Sequence, residues 1–127
     1  MIKNLSHVSL SSNSLKKVEK FYIKKLGLKV VHKFINDKNQ LYGYFLKCNK
    51  NTFIEFFNSK KKLSKNKNAI FRHLCFEVSD IKKVNREKFN NKNKIFRGKT
   101  DNILQFFTKD LEGNIIEFHQ RDRYSKF

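Results

Sequence analysis

The strongest constraint on this chain is that it repeats itself. Phe71 to Val84 reads Phe-Arg-His-Leu-Cys-Phe-Glu-Val-Ser-Asp-Ile-Lys-Lys-Val, and sixty-six positions earlier His7, Leu15, Lys16, Lys17 and Val18 fall on His73, Ile81, Lys82, Lys83 and Val84. A second echo sets Asn51-Thr-Phe-Ile-Glu55-Phe-Phe57 against Gly113-Asn-Ile-Ile-Glu117-Phe-His119. Each half therefore opens on a strand with one histidine and closes on a strand with one glutamate, 48 residues apart in the first copy and 44 in the second. A repeat of this length means one supersecondary unit used twice.

Halves of about sixty residues are marginal alone, whereas 127 residues make one ordinary domain. The expected layout is a single domain over 1–127: module 1 at about 5–58, a linker at 59–70, module 2 at about 71–120 and a tail at 121–127. Fourteen phenylalanines and the aliphatics supply core material, so the low mean hydropathy reflects surface lysine.

The net charge of +18 normally points to nucleic acid or an anionic membrane. Here 24 of the 29 cations are lysine, spread from Lys3 to Lys126, whereas base reading and bidentate phosphate clamping favour arginine. With fifteen asparagines and no proline or tryptophan, the charge reads as composition bias. No specific nucleic-acid partner is expected. No apolar run approaches the roughly eighteen residues of a membrane span. Cys48 and Cys75 lack CxxC spacing and no targeting segment is read, so a cytoplasmic protein with reduced thiols is expected.

Periodicity gives the order β-α-β-β-β twice. Strands are expected at 5–11, 28–35, 42–48 and 52–58, with a helix capped by Asn13 or Ser14, running through Leu26 and ended by Gly27. In the second half the strands fall at 72–78, 94–98, 102–109 and 114–120, with a helix from Ile81 to Phe89 capped by Asp80. The strand phases then sort the side chains. Val8, Leu10, Ile54 and Phe56, with Leu74, Phe76, Ile116 and Phe118, take the helix side. His7, Ser9, Phe53, Glu55 and Phe57, with His73, Cys75, Glu77, Ile115, Glu117 and His119, take the other face. A curled sheet would bring the two histidines and two glutamates together. Two imidazoles and two carboxylates suit one divalent ion, Ni²⁺, Co²⁺, Fe²⁺, Mn²⁺ or Zn²⁺, with room for substrate.

On these residues the chain resembles the vicinal oxygen chelate superfamily, and within it the glyoxalase I (lactoylglutathione lyase) branch. The resemblance is carried by His7 in Ser-His-Val-Ser-Leu, Phe21-Tyr-Ile-Lys-Lys-Leu-Gly27, Glu55 in Phe-Ile-Glu-Phe, His73 in Arg-His-Leu-Cys-Phe, and Asp110-Leu-Glu-Gly-Asn-Ile-Ile-Glu117. It implies an α+β fold in which two tandem βαβββ modules form an open, cupped eight-stranded barrel around one metal. His7, Glu55, His73 and Glu117 fall on the family's four ligand positions. It also implies proton transfer by Glu117, with Glu55 as a second candidate, and a homodimer.

The arginine that this branch usually carries two residues after the first histidine is Ser9 here, which weakens the match to a glutathione adduct. Arg97 or Lys99 is the candidate replacement cation, while Ser9, Phe53, Phe57, Cys75 and His119 are candidate substrate contacts. The function so implied is a metal-dependent lyase or isomerase that moves a proton at the carbon adjacent to a carbonyl of a small oxygenated substrate, such as a methylglyoxal–thiol hemithioacetal. The alternatives are an epimerase or isomerase of the same superfamily with a non-glutathione substrate, and a non-catalytic small-molecule binding or resistance protein.

Overall fold

A computed structural model describes residues 1–63 and 71–127. The chain divides into two compact units, Met1–Asn66 and Lys67–Phe127. Most of the expected linker, residues 64–70, lies outside the described residues.

In module 1, β1 (His7–Ser12) leads into a helix whose first turn is α1 (Leu15–Val18). Ser14 caps it by accepting from the Lys17 N–H. Asn13, the other expected cap, instead binds the chain beyond the module: its amide donates to the Ser59 and Lys61 carbonyls and its oxygen accepts from the Leu63 N–H. A single α-helix to Leu26 is not what forms. From Glu19 to Lys25 the helix widens to π geometry, with the Leu26 N–H reaching the Phe21 carbonyl five residues back. Gly27, at φ +78°, ends it in the left-handed region, and Leu28 closes the last turn onto the Tyr22 carbonyl. β2 (Lys29–Ile35), β3 (Leu41–Lys47) and β4 (Phe53–Asn58) complete a four-stranded sheet of order β1-β4-β3-β2.

Module 2 repeats the plan with β5 (Leu74–Glu77), α2 (Ile81–Phe89), β6 (Phe96–Arg97), β7 (Leu104–Lys109) and β8 (Ile115–Gln120), ordered β5-β8-β7-β6. Asp80 caps α2 through the Lys83 N–H, and Asn90 ends it at φ +52°. β6 is shorter than expected. The chain turns immediately after Arg97, where the Asn102 N–H bonds the Gly98 carbonyl and Asn102 sits at φ +60°.

Each sheet packs one face against its own helix. In module 1 the core is Val18, Phe21, Tyr22, Tyr44, Leu46, Ile54 and Phe56; in module 2 it is Ile81, Phe89, Ile103, Phe106, Ile116 and Phe118. The alternation that fills these cores also fixes which residues remain on the other face. In both modules the first strand pairs in parallel with the last: Val8↔Ile54 and Leu10↔Phe56 are matched by Leu74↔Ile116 and Phe76↔Phe118. Among the described residues, no helix is long and apolar enough to cross a membrane.

Candidate functional site

The parallel register brings each glutamate opposite a small polar side chain, Ser9 for Glu55 and Cys75 for Glu117. On its other flank each glutamate faces a phenylalanine of the third strand, Phe45 for Glu55 and Phe107 for Glu117. Each histidine completes the unit. His7 Nε2 lies 3.7 Å from Glu55 Oε1 and meets Phe45 edge-on at 5.6 Å; His73 Nε2 lies 2.9 Å from Glu117 Oε2 and meets Phe107 edge-on at 5.6 Å. The ladder of module 2 begins at Leu74↔Ile116, so His73 stands just ahead of β5 and not within it, whereas His7 is the first residue of β1.

Each pair fits half of a metal donor set. Two ligand atoms about 2.1 Å from one ion are separated by about 3.0 Å at a right angle and about 3.4 Å at a tetrahedral angle. Both observed separations lie close to this window. The glutamates are the sheltered partners, with side-chain exposures of 16% for Glu55 and 12% for Glu117, and a sheltered carboxylate requires a cation or hydrogen-bond donors.

The surroundings of the two pairs differ. In module 1 the open face is aromatic: Phe53 stacks on Phe45 at 5.0 Å, Phe57 lies 4.8 Å from Phe34, and Tyr42 stacks on Phe57 at 6.0 Å. In module 2, His119 takes the place of Phe57. Its Nδ1 is 3.8 Å from Glu117 Oε1 and 3.4 Å from Cys75 Sγ. Desolvation of the Cys75 thiol by the groups packed around it, followed by the charge of Glu117 and the hydrogen bond to it, pushes its pKa up to about 12. Glu77 is exposed and pairs with Arg121 at 2.7 Å.

Beside His73 lies a hollow of about 520 Å³, lined by Arg72, His73, Phe107, Thr108, Lys109 and Ile115. Arg72, Lys109 and the two edge-on phenylalanines were not singled out by sequence reasoning. Phe45 and Phe107 share the strand phase of their faces, but only the cross-strand register identifies them as the glutamates' neighbours. Of the two expected substrate cations, Arg97 is committed elsewhere. Its guanidinium grips Asp122 through two hydrogen bonds of 3.2 and 2.6 Å, donates to the Asn102 carbonyl and lies over the Tyr124 ring. Lys99 is exposed in the turn after β6. Of the two cysteines, Cys75 lines the site face and Cys48 is half-buried just past β3.

A family model described as the Glyoxalase/Bleomycin resistance protein/Dioxygenase superfamily matches residues 4–118. Among solved structures, the glyoxalase family protein from Enterococcus faecalis is 23% identical, with a TM-score of 0.77 over 92% of this chain and 97% of that one. SMU.1112c is likewise 23% identical, with a TM-score of 0.78 over 94% and 99%. TnmS3, an antibiotic binding protein from Streptomyces sp. CB03234, is 14% identical, with a TM-score of 0.70 over 95% and 98%. At such identities the likeness is one of fold. No curated protein matches the sequence.

Proposed function

Because the chain belongs to the Glyoxalase/Bleomycin resistance protein/Dioxygenase superfamily, we propose that it is a divalent-metal-dependent lyase or isomerase that moves a proton on the carbon next to a carbonyl. The observation that carries this reading is the twice-built unit of histidine, sheltered glutamate and edge-on phenylalanine: His7, Glu55 and Phe45, then His73, Glu117 and Phe107. By the resemblance, His7, Glu55, His73 and Glu117 supply the metal donors, one ion for each set of four. When bound, such an ion supplies Lewis acidity that polarises a carbonyl or vicinal oxygens and makes the adjacent C–H more acidic.

The remaining work falls to side chains of the chain itself. Glu117 takes the proton from carbon and returns it to the neighbouring carbon, with Phe107 as its cross-strand partner. Glu55, with a histidine and a cross-strand phenylalanine likewise beside it in module 1, is the second acid–base candidate. The hollow beside His73 is large enough for a small oxygenated substrate, and Arg72 and Lys109 at its margin favour one bearing negative charge. Ser9, Phe53, Phe57, Cys75 and His119 line the same two sheet faces as substrate contacts. The resemblance implies a homodimer, which sedimentation velocity measures directly.

The test is elemental analysis of untagged protein, paired with turnover of the methylglyoxal hemithioacetal and of small α-hydroxy ketones. We expect about one Ni, Co, Fe, Mn or Zn per chain, weaker binding of Ni²⁺ or Mn²⁺ in His73→Ala, and a fall of about 10²–10⁴ in kcat for Glu117→Gln. Protein that binds no metal after reconstitution would sink the proposal. A second reading, small-molecule binding without turnover, is favoured by the panel of Phe34, Tyr42, Phe45, Phe53 and Phe57, which offers stacking surface to a planar ligand. It predicts tight binding of such ligands by metal-free protein.

A further inference from the structure

Module 2 carries donors that module 1 lacks. Across the repeat Ser9 becomes Cys75 and Phe57 becomes His119, two changes flanking the glutamate on the same sheet face. Cys75 lies directly opposite Glu117 in the β5/β8 register, and His119 follows Glu117 by two residues, so all three side chains leave that face.

Their ligand atoms are already grouped. Cys75 Sγ is 3.4 Å from His119 Nδ1, Glu117 Oε1 is 3.8 Å from the same nitrogen, and all three lie within 4.8 Å of one another. Around a tetrahedral zinc ion, bonds of about 2.3 Å to sulfur and about 2.1 Å to nitrogen or oxygen set S···N near about 3.6 Å and N···O near about 3.4 Å. The S···N and N···O separations differ from these by a few tenths of an ångström. Glu117 divides its oxygens, Oε2 toward His73 and Oε1 toward His119. Glu77, opposite His119 in register, is drawn to Arg121.

We propose that Cys75, Glu117 and His119 form a thiolate-containing seat for a zinc-class divalent ion within module 2 alone. This goes beyond the His–Glu donor set, because it needs neither His7 nor Glu55 and its sulfur ligand selects Zn²⁺ or Co²⁺ over Mn²⁺ or Mg²⁺. Binding exchanges the Cys75 S–H proton for the metal and releases that proton to solvent. Three protein ligands leave a fourth position for water.

The test is an optical titration of the whole metal-free chain with Co²⁺. A thiolate-to-cobalt charge-transfer band in the near ultraviolet should grow with the first equivalent and vanish in Cys75→Ser. His119→Phe should weaken cobalt binding about tenfold or more. Both replacements are the residues module 1 already carries at these positions, and circular dichroism confirms that each variant is folded. Glu55→Gln should keep the band even if it abolishes turnover, which separates this seat from the proposed reaction. Cobalt bound with ligand-field bands alone, a band that survives Cys75→Ser, or a band lost in Glu55→Gln would overturn the proposal.

Discussion

Gly43 is closely enclosed within the module 1 sheet. It lies in register between Phe34 and Phe57, whose rings close to 4.8 Å beside it. A Cβ at this position would stand 2.7 Å from the Phe56 carbonyl oxygen and from Phe57 Cδ1, and 3.0 Å from Phe34 Cδ2. Backbone on one side leaves nothing that yields cheaply, so Gly43→Ala should cost about 1–3 kcal/mol in urea denaturation. Its neighbour Tyr44 is buried and donates its hydroxyl to Glu19 at 2.7 Å. Burial, then the hydrogen bond and charge of Glu19, raises the phenol from 10.0 to about 12. The folded value lies above the unfolded one, so this contribution is complete below pH 10 and is lost as pH rises toward about 12. Stability measured against pH should therefore show a component over that window in the native chain that Tyr44→Phe lacks.

At the scale of elements, α2 and the tail are held by specific polar clamps. Asn85, buried on α2, donates to the Asn93 carbonyl at 2.7 Å and accepts from the Asn93 side chain at 3.1 Å, fastening the helix to the loop that follows. Asn85→Ala should cost about 1–3 kcal/mol by thermal denaturation, because the part-buried Asn93 groups lose their bonds. The tail is ordered by the Arg97–Asp122 pair, by the Lys126 N–H on the Asp101 carbonyl and by the Asn102 amide on the Tyr124 carbonyl. The Arg97 hydrogen bonds, aided by the Tyr124 N–H, pull the Asp122 carboxyl from 3.8 down to about 2. With the folded value depressed, the tie is present above pH 3.8 and fails as pH falls through about 2. Heteronuclear NOEs of residues 121–127 should drop over that range, and in Asp122→Asn they should be low at neutral pH.

These elements were legible in the sequence to different degrees. The bounds of α2 follow from Asp80 and the apolar spacing of Ile81, Val84 and Phe89, and the β7–β8 turn follows from Asp110, whose carboxylate accepts from the Glu112 and Asn114 N–H groups. The π-helical turns at Glu19–Lys25 were not legible, because Val18, Phe21 and Tyr22 present the same buried stripe in either geometry. The packing of the tail was not legible, since its partners lie around the turn after β6, twenty or more residues away.

For the whole molecule, the face of each histidine and glutamate could be read because strand alternation and the repeat agree. Their edge-on phenylalanines could not, because cross-strand register depends on turn geometry. The proposed donor set should be felt throughout the chain as well. An ion at a hundred times its Kd adds about 2.7 kcal/mol of stability, so Zn²⁺ or Ni²⁺ should raise Tm by several degrees, and Glu117→Gln should abolish the shift.

The parallel pairing of first and last strands has a further consequence for how the protein is made. Among the described residues β1 has no hydrogen-bonded sheet neighbour except β4, so emergence of the first fifty residues from the ribosome leaves the opening strand without its mate. Closure over so long a separation is intrinsically slow, and module 1 has its whole sheet only once Asn58 is synthesised, while module 2 waits for Gln120. A nascent chain therefore gains its histidine–glutamate pairs one module at a time, and each arrives only with the final strand of its unit.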